Sequence, residues 1–144
     1  MTIADVVGTK GRTVHTILPW ATVADAVQQL NRFHIGALVV NDSTHAVLGI
    51  LSERDLVREL ARRGPDLLNQ QVESVMTKYI VTVSPGESVI RALQRMTQGR
   101  YRHLPVVDAG QLVGIVSIGD LVKSRLRDLE LETGVLRDGW IAAH

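Results

Sequence analysis

The sequence predicts a mixed α/β fold of the α+β type, in which two copies of one strand–helix–strand–strand–helix unit pack about a pseudo-two-fold axis. Three observations support this. Thr16-Ile17-Leu18-Pro19 returns 66 positions later (82 − 16) as Thr82-Val83-Ser84-Pro85. In both copies, short β-branched runs alternate with stretches whose apolar residues recur at i, i+3 and i+4. A unit of about 60 residues is marginally stable alone, so the two copies are expected to share an interface.

The elements of the first copy follow from local signals. Pro19 ends a β-branched run, Thr22 is a typical helix N-cap, and turn residues separate two dense apolar runs. Ser52 opens the second helix, and the Gly64-Pro65 pair ends it. The predicted order is a strand at 14–17, a helix from Thr22, a strand at 35–40, a turn at 41–44, a strand at 46–51 and a helix from Ser52.

The second copy repeats this order, with one residue fewer in the turn between its last two strands. The prediction is a strand at 80–83, a helix from Ser88, a strand from Leu104, a turn at 108–110, a strand to Val116 and a helix from Ser117. Gly134 and Gly139 are expected to end the regular helix, since glycine is unfavourable inside one. The predicted boundaries are 1–64 for repeat 1, 65–71 for a linker, 72–128 for repeat 2 and 129–144 for a helical C-terminal tail.

Composition excludes several classes of protein. The 144 residues carry 16 basic and 15 acidic side chains, a net charge of +1, which argues against nucleic-acid or polybasic membrane binding. There is no cysteine, and the five histidines form no i, i+4 pair, so a metal site is not expected. No signal peptide or membrane-spanning run is visible, which predicts a cytoplasmic protein. No nucleophile elbow or dinucleotide fingerprint appears, so we expect no enzyme activity.

One motif occurs at the end of each copy, where an apolar strand becomes a helix: Gly49-x-x-Ser52-x-x-Asp55 and Gly114-x-x-Ser117-x-x-Asp120. Glycine permits a close approach to the backbone, and the free amides of the first helical turn form an anion site. A carboxylate one turn into the helix can accept two hydrogen bonds from a vicinal diol. Ser-x-x-Asp is equally a capping-box variant that only stabilises the helix. The residues leave both interpretations open.

A basic stretch precedes the third strand of the second copy, at 100–106. Arg102 and His103 there are suited to phosphate, because the arginine fork matches phosphate oxygens. The alternative is a solvated loop between helix and strand. Pro105 fits only a strand start or an edge position, since it has no amide proton to donate.

The duplicated unit with its Gly-x-x-Ser-x-x-Asp ending resembles a pair of CBS domains, over about residues 3–126. The resemblance implies two symmetric clefts that bind adenosine compounds (AMP, ADP, ATP, S-adenosylmethionine or NAD) as regulatory ligands, with no cofactor required. It also implies association of two such pairs as a disc-shaped homodimer. Apolar helix positions such as Val27, Val89 and Met96 point the same way, because one pair is not expected to cover them all.

The resemblance also implies roles for individual residues. Asp55 and Asp120 would hold ribose hydroxyls, Ser52 and Ser117 would contact ribose or phosphate, and Arg102 with His103 would face phosphate. The remaining predicted ligand-binding residues are Thr16, Ala37, Arg54, Thr82 and Pro105, of which the two threonines would line the nucleoside pocket. The copies differ, since Gly36-Ala37 replaces the basic pair in the first and Gly119 replaces Arg54 in the second. We therefore expect unequal clefts, with a ligand held by Asp55 reaching across to Arg102.

The expected function is a stand-alone regulatory module that senses an adenine nucleotide and acts through an unknown protein effector. The alternative is a constitutive dimerisation or scaffold protein whose clefts are vestigial. Nucleic-acid binding through the basic stretch is disfavoured by the near-neutral charge and the five aromatic residues.

Overall fold

The computed structural model describes residues 1–11, 13–44 and 46–143, with side chains described as far as residue 133. The helices are α1 (Ile3–Lys10), α2 (Val23–Phe33), α3 (Glu53–Arg63), α4 (Val89–Gly99) and α5 (Ile118–Ala143), and the strands are β1 (Thr16–Ile17), β2 (Ala37–Asn41), β3 (Val47–Ser52), β4 (His103–Asp108) and β5 (Gln111–Ser117). Two short 3₁₀ helices, Gly64–Asn69 and Val72–Ser74, join the repeats. This mixed architecture confirms the predicted fold class.

Helix starts lie where the sequence predicts them. The side chains of Thr22, Ser52 and Ser88 each accept a hydrogen bond from the third backbone amide of the helix that follows. Each cap satisfies one of the amides that a helix N-terminus leaves unpaired. The residues that begin α2, α3 and α4 are therefore fixed by local chemistry.

Within the described residues, each sheet contains one antiparallel strand pair, although the first sheet has three strands and the second has two. In repeat 1, β1 runs parallel to β2, which pairs antiparallel with β3. In repeat 2, β4 and β5 form the matching antiparallel pair, joined by a tight turn in which Ala109 and Gly110 both have positive φ. The strand register shifts at Val40/Asn41 and again at Val106/Val107, the corresponding place 66 residues later. The duplication therefore extends to irregularities of the backbone.

The predicted strand at 80–83 is wrong. Only Val83 pairs with β4, through a single parallel bridge to Val106. In repeat 1 the amide of Val39 donates to the carbonyl of His15 at 3.3 Å, but the residue at the corresponding position of β4 is Pro105. Proline has no amide proton, so the second rung cannot form. Pro105 lies on an edge strand, as predicted, since β4 pairs with a described strand only on its β5 side. On the other side its carbonyl accepts from the amide of Val83 at 3.0 Å.

The expected end of the last helix is also wrong. The backbone of α5 continues through Gly134 and Gly139 to Ala143. A glycine inside a helix costs about 1 kcal/mol relative to alanine, which weakens a helix without breaking it. The tail is helical, as predicted, but it has no break at the glycines.

Each repeat completes the hydrophobic core of the other. The core built on α4, β4 and β5 includes Ile3, Val6 and Val7 of α1, which precedes repeat 1 in the chain. The core built on α2, β2 and β3 includes Leu67, Val72 and Val75 from the segment between the repeats. Equivalent backbone bonds anchor both segments: Ile3 donates to the carbonyl of Glu87 at 2.9 Å, and Val72 to that of Ala21 at 2.8 Å. We call these two stretches, residues 2–10 and residues 67–77, the exchanged segments. They connect the two repeats into one pseudo-symmetric body.

The motif glycine Gly49 makes room for the exchanged segment. A Cβ added there would lie 2.6 Å from Sδ of Met76 and 2.8 Å from the carbonyl oxygen of Thr77. At the equivalent Gly114, the nearest atom would be Cγ2 of Val7, at 3.1 Å. The close approach predicted for the glycine therefore comes from the protein's own backbone in repeat 1.

Replacing Gly49 by alanine should lower the free energy of unfolding by about 1–3 kcal/mol, the usual cost of forcing extra atoms into a packed site. Gly114→Ala is the matched control and should cost less, because the nearest atom to its new Cβ would be a methyl group at 3.1 Å, whereas the Cβ at Gly49 would lie 2.8 Å from a backbone oxygen. Urea denaturation measures both. Equal losses for the two variants would contradict this account of Gly49.

Candidate functional site

The Asp55 carboxylate lies at the start of α3, in contact with both the helix cap and the exchanged segment. Its Oδ2 accepts hydrogen bonds from the amide of Ser52 at 2.9 Å and from the Ser52 hydroxyl at 3.1 Å. Its Oδ1 accepts from Thr77 Oγ1 at 3.1 Å and from Arg58 Nη2 at 2.9 Å. Asp55 is only 4% exposed. The capping box, one of the two interpretations of the motif, is therefore present. Its hydrogen bonds from Ser52 use Oδ2, and Oδ1 accepts from Thr77 and Arg58 instead.

A cavity of about 290 Å³ opens between the start of α3 and the loop before β4. It is lined by Ile50, Ser52, Arg54, Asp55, Arg58 and Thr77 on one side and by residues 99–103 on the other. Its charged lining consists of four arginines and one carboxylate, with the His103 imidazole beside them. Five residues singled out in the sequence thus lie together: Ser52, Arg54, Asp55, Arg102 and His103.

His103 forms part of the wall that divides this cavity from repeat 2's own motif. A Cβ added to Gly36 would lie 3.1 Å from its Nε2, so the imidazole packs closely against that glycine. Burial lowers the pKa of His103 below its ordinary value, and the nearby Lys10 ammonium lowers that pKa further. Its ring is therefore largely neutral at pH 7. At that pH the positive charge of the cavity comes from the arginines.

Asp120 is the counterpart of Asp55, but its surroundings differ. Its Oδ2 accepts from the Ser117 amide at 2.8 Å, and Ser117 Oγ accepts from the Asp120 amide at 3.1 Å, so the cap is present here too. The ammonium of Lys10 lies 2.5 Å from the same Oδ2. Burial raises the pKa of Asp120, but hydrogen bonds from Lys10 and Ser117 outweigh it and hold the pKa below its usual range.

The other predicted residues lie away from the cavity around Asp55. Thr16 borders a separate groove with Asp25 and Arg32. Thr82 is exposed, and its carbonyl accepts from Arg95 at 3.0 Å. Ala37 and Pro105 are buried within β2 and β4, where they pair with Ser52 and Ile115. The structure does not bring these four residues into the cavity.

Three contacts were not predicted from the sequence. Arg58 lies three residues after Asp55 on one helix face, and this spacing is a local signal from which the contact could have been predicted. Thr77 and Lys10 reach the two carboxylates from the exchanged segments. No local pattern indicates those two contacts, because they depend on how the segments cross between repeats.

Neither a metal centre nor a membrane span is found in the described part of the chain. Across residues 1–11, 13–44 and 46–133, whose side chains are described, no three His, Asp or Glu side chains are grouped in a way that could hold a metal ion. Within the same ranges, no helix has the length and apolar character needed to cross a bilayer.

Comparison with known proteins identifies the duplicated unit. The family model described as the CBS domain matches residues 6–62 and again residues 72–127. The CBS domain-containing protein CBSX3, mitochondrial, of Arabidopsis thaliana is 37% identical over 131 residues, which cover 85% of this chain and 64% of that protein. The chain thus spans less than two thirds of the length of that relative.

Solved structures agree with the match. The crystal structure of a CBS-domain containing protein from Agrobacterium tumefaciens aligns with a TM-score of 0.85 and 42% identity, over 87% of this chain and 99% of that one. The crystal structure of CBSX2 in complex with AMP aligns with a TM-score of 0.71 and 28% identity, over 88% of this chain and 96% of that one.

Proposed function

The chain belongs to the CBS-domain family as a tandem pair, and we propose from this that it is a regulatory module that binds an adenine nucleotide between its repeats. The observation that carries the proposal is the cavity in which Asp55 of repeat 1 faces Arg102 and His103 of repeat 2. Its volume of about 290 Å³ lies near the lower end of the range of roughly 300–1,000 Å³ for small-molecule sites.

The proposed ligand spans the cavity from a carboxylate to a cluster of cations. Asp55 Oδ1 accepts from the ribose hydroxyls in place of Arg58, while Oδ2 keeps the helix cap. Carboxylates hold the vicinal hydroxyls of ribose in this way in dinucleotide folds. Arg102 and Arg54 donate to the phosphate, because the guanidinium fork matches phosphate oxygens. Both repeats contribute to the binding site, so the ligand bridges them.

The AMP complex of CBSX2 supports an adenosine-type ligand, since that protein shares the fold of this chain over 88% of its length. We propose AMP as the first compound to test, with ADP, ATP and NAD as the other members of the class. The module requires no cofactor and has no catalytic activity of its own. A cytoplasmic location and the repeat boundaries 1–64 and 72–128 remain predictions from the sequence.

Binding regulates a partner only if the ligand favours one arrangement of the repeats over another. A nucleotide held by Asp55 and Arg102 at once does so, because its two ends contact different repeats. The exchanged segment that carries Thr77 lies in the same wall and donates a hydrogen bond to the carboxylate that the ligand would bind. We propose that an unidentified protein effector responds to this arrangement.

Thermal unfolding with and without AMP, ATP and NAD separates this function from a scaffold with vestigial clefts. A ligand present at 100 times its dissociation constant adds about 2.7 kcal/mol to the stability of the folded state. For a chain of this size, this corresponds to a rise of roughly 5–10 °C in the unfolding midpoint. A scaffold with no functional cleft would show no shift with any of the three compounds.

We expect the chain to form a homodimer, although most helix residues that suggested this from the sequence are buried in its own core. Val89 and Met96 are 2% and 1% exposed. Exposed apolar side chains remain on four of the described helices: Val27 of α2 is 40% exposed, Val57 of α3 70%, Ile90 of α4 48% and Leu126 of α5 54%. Burying such side chains against a second copy is favourable. Analytical ultracentrifugation should give twice the 15.8 kDa mass of the chain at micromolar concentration, and a monomer mass would contradict this prediction.

A further inference from the structure

The two motif carboxylates are contacted by equivalent segments that carry different chemistry. In repeat 1, Thr77 exchanges two backbone hydrogen bonds with Ile50 and donates its hydroxyl to Asp55 Oδ1 at 3.1 Å. In repeat 2, the ammonium of Lys10 donates to the carbonyl of Ile115 at 3.0 Å and to Asp120 Oδ2 at 2.5 Å. Ile115 and Asp120 correspond to Ile50 and Asp55 across the duplication. The exchanged segments therefore bring a neutral hydroxyl to Asp55, beside Arg58 of the same helix, and a cation to Asp120.

We propose that Lys10 is an internal occupant of the second motif site, which closes it to nucleosides, so that each chain binds one nucleotide, at Asp55. This rests on the proposed function of the Asp55 cavity and adds its stoichiometry. A ribose at Asp120 has to displace a charge-assisted hydrogen bond, about twice as strong as a neutral one. At Asp55, a ribose competes with a neutral hydroxyl and with Arg58, whose side chain is 54% exposed, against 36% for that of Lys10.

The surroundings of Asp120 also lack the second half of a nucleotide site. The cavity beside it, of about 200 Å³, is lined by residues of α1 and α5 together with Met1, and by none of residues 33–37 of repeat 1. At the position that matches Arg102 and His103, the first repeat has Gly36 and Ala37. Among the described residues, no arginine of repeat 1 lines this cavity, and Lys10 already contacts the Asp120 carboxylate.

Titration calorimetry with AMP and with adenosine tests the proposal through the number of molecules bound per chain. The intact protein should bind one molecule of either compound. Lys10→Thr, which removes the ammonium that contacts Asp120, should bind two molecules of adenosine per chain, the second more weakly. Lys123→Ala is the matched control, because it removes a cation from the same cavity wall without contacting Asp120, and it should still bind one.

The outcomes separate this inference from the proposed function. Two molecules per chain in the intact protein, or a single molecule in folded Lys10→Thr, would overturn the role of Lys10 while leaving the Asp55 site intact. Absence of binding in every variant would overturn the proposed function itself. Adding Asp120→Ala to Lys10→Thr should return the count to one, and a count that stays at two would place the second molecule elsewhere. The count for the intact protein tests the proposal even where a variant unfolds.

Discussion

Asp55→Ala should weaken AMP binding by roughly 10²–10⁴-fold, because two hydrogen bonds from ribose to a charged acceptor are worth on the order of 3–6 kcal/mol. The same change should lower the free energy of unfolding by about 1–3 kcal/mol. It removes the carboxylate half of the capping box and leaves Thr77 without its acceptor, while the Ser52 cap itself stays in place. Loss of a whole cap costs about 0.5–2 kcal/mol. Titration calorimetry and urea denaturation measure the two effects separately.

Asp25→Ala is the matched control for this variant. Asp25 occupies the same position in the capping box of α2, where its side chain accepts from the Thr22 amide at 3.2 Å, but it lies outside the Asp55 cavity. It should lose stability with AMP affinity unchanged. If Asp55→Ala also keeps its affinity and only loses stability, the carboxylate is a helix cap and nothing more.

Arg102→Ala should weaken AMP binding by roughly 10- to 100-fold and leave adenosine binding nearly unchanged. A charge-assisted hydrogen bond to phosphate is worth about 1.5–3 kcal/mol, and adenosine has no phosphate to lose. The backbone here is fixed independently of the side chain, since the carbonyl of Arg102 accepts from the Ile118 amide at 2.8 Å. Titrations of both compounds against the variant measure the difference.

Arg91→Ala provides the electrostatic control, because it removes one exposed positive charge of α4 that does not line the cavity. It should leave both affinities within about twofold of the intact protein, since exposed charges beyond about 10 Å are screened by salt. Equal losses for AMP and adenosine in Arg102→Ala would show that this arginine shapes the pocket. An unchanged affinity for both would mean that the basic stretch is a solvated loop.

The elements that the sequence predicted well are those specified by neighbouring residues. Thr22, Ser52 and Ser88 begin helices because a cap needs only the amides of the next turn. The prediction of a strand at 80–83 was wrong because the pairing of this segment depends on Pro105. Pro105 lies more than 20 residues away, so a local pattern at 80–83 gives no sign of it. Interruption of a sheet ladder by a distant proline is visible only once the strands are aligned.

The candidate site shows the same division. The Ser-x-x-Asp motif and the basic stretch are local patterns, and the structure brings Asp55 and Arg102 to one cavity. Lys10 and Thr77 were missed because periodicity predicts that the segments before each repeat are buried, but not which repeat buries them. Thr16 was predicted as a site residue from the family resemblance alone, and it lies in a different groove.

A crystal structure of the chain grown with saturating AMP tests the central claim most directly. The account predicts one AMP per chain between the repeats, with its ribose hydroxyls on Asp55 Oδ1, its phosphate on Arg102, and Lys10 still paired with Asp120. AMP bound at Asp120 with Lys10 displaced, or a cavity at Asp55 that stays empty under saturating ligand, would contradict it.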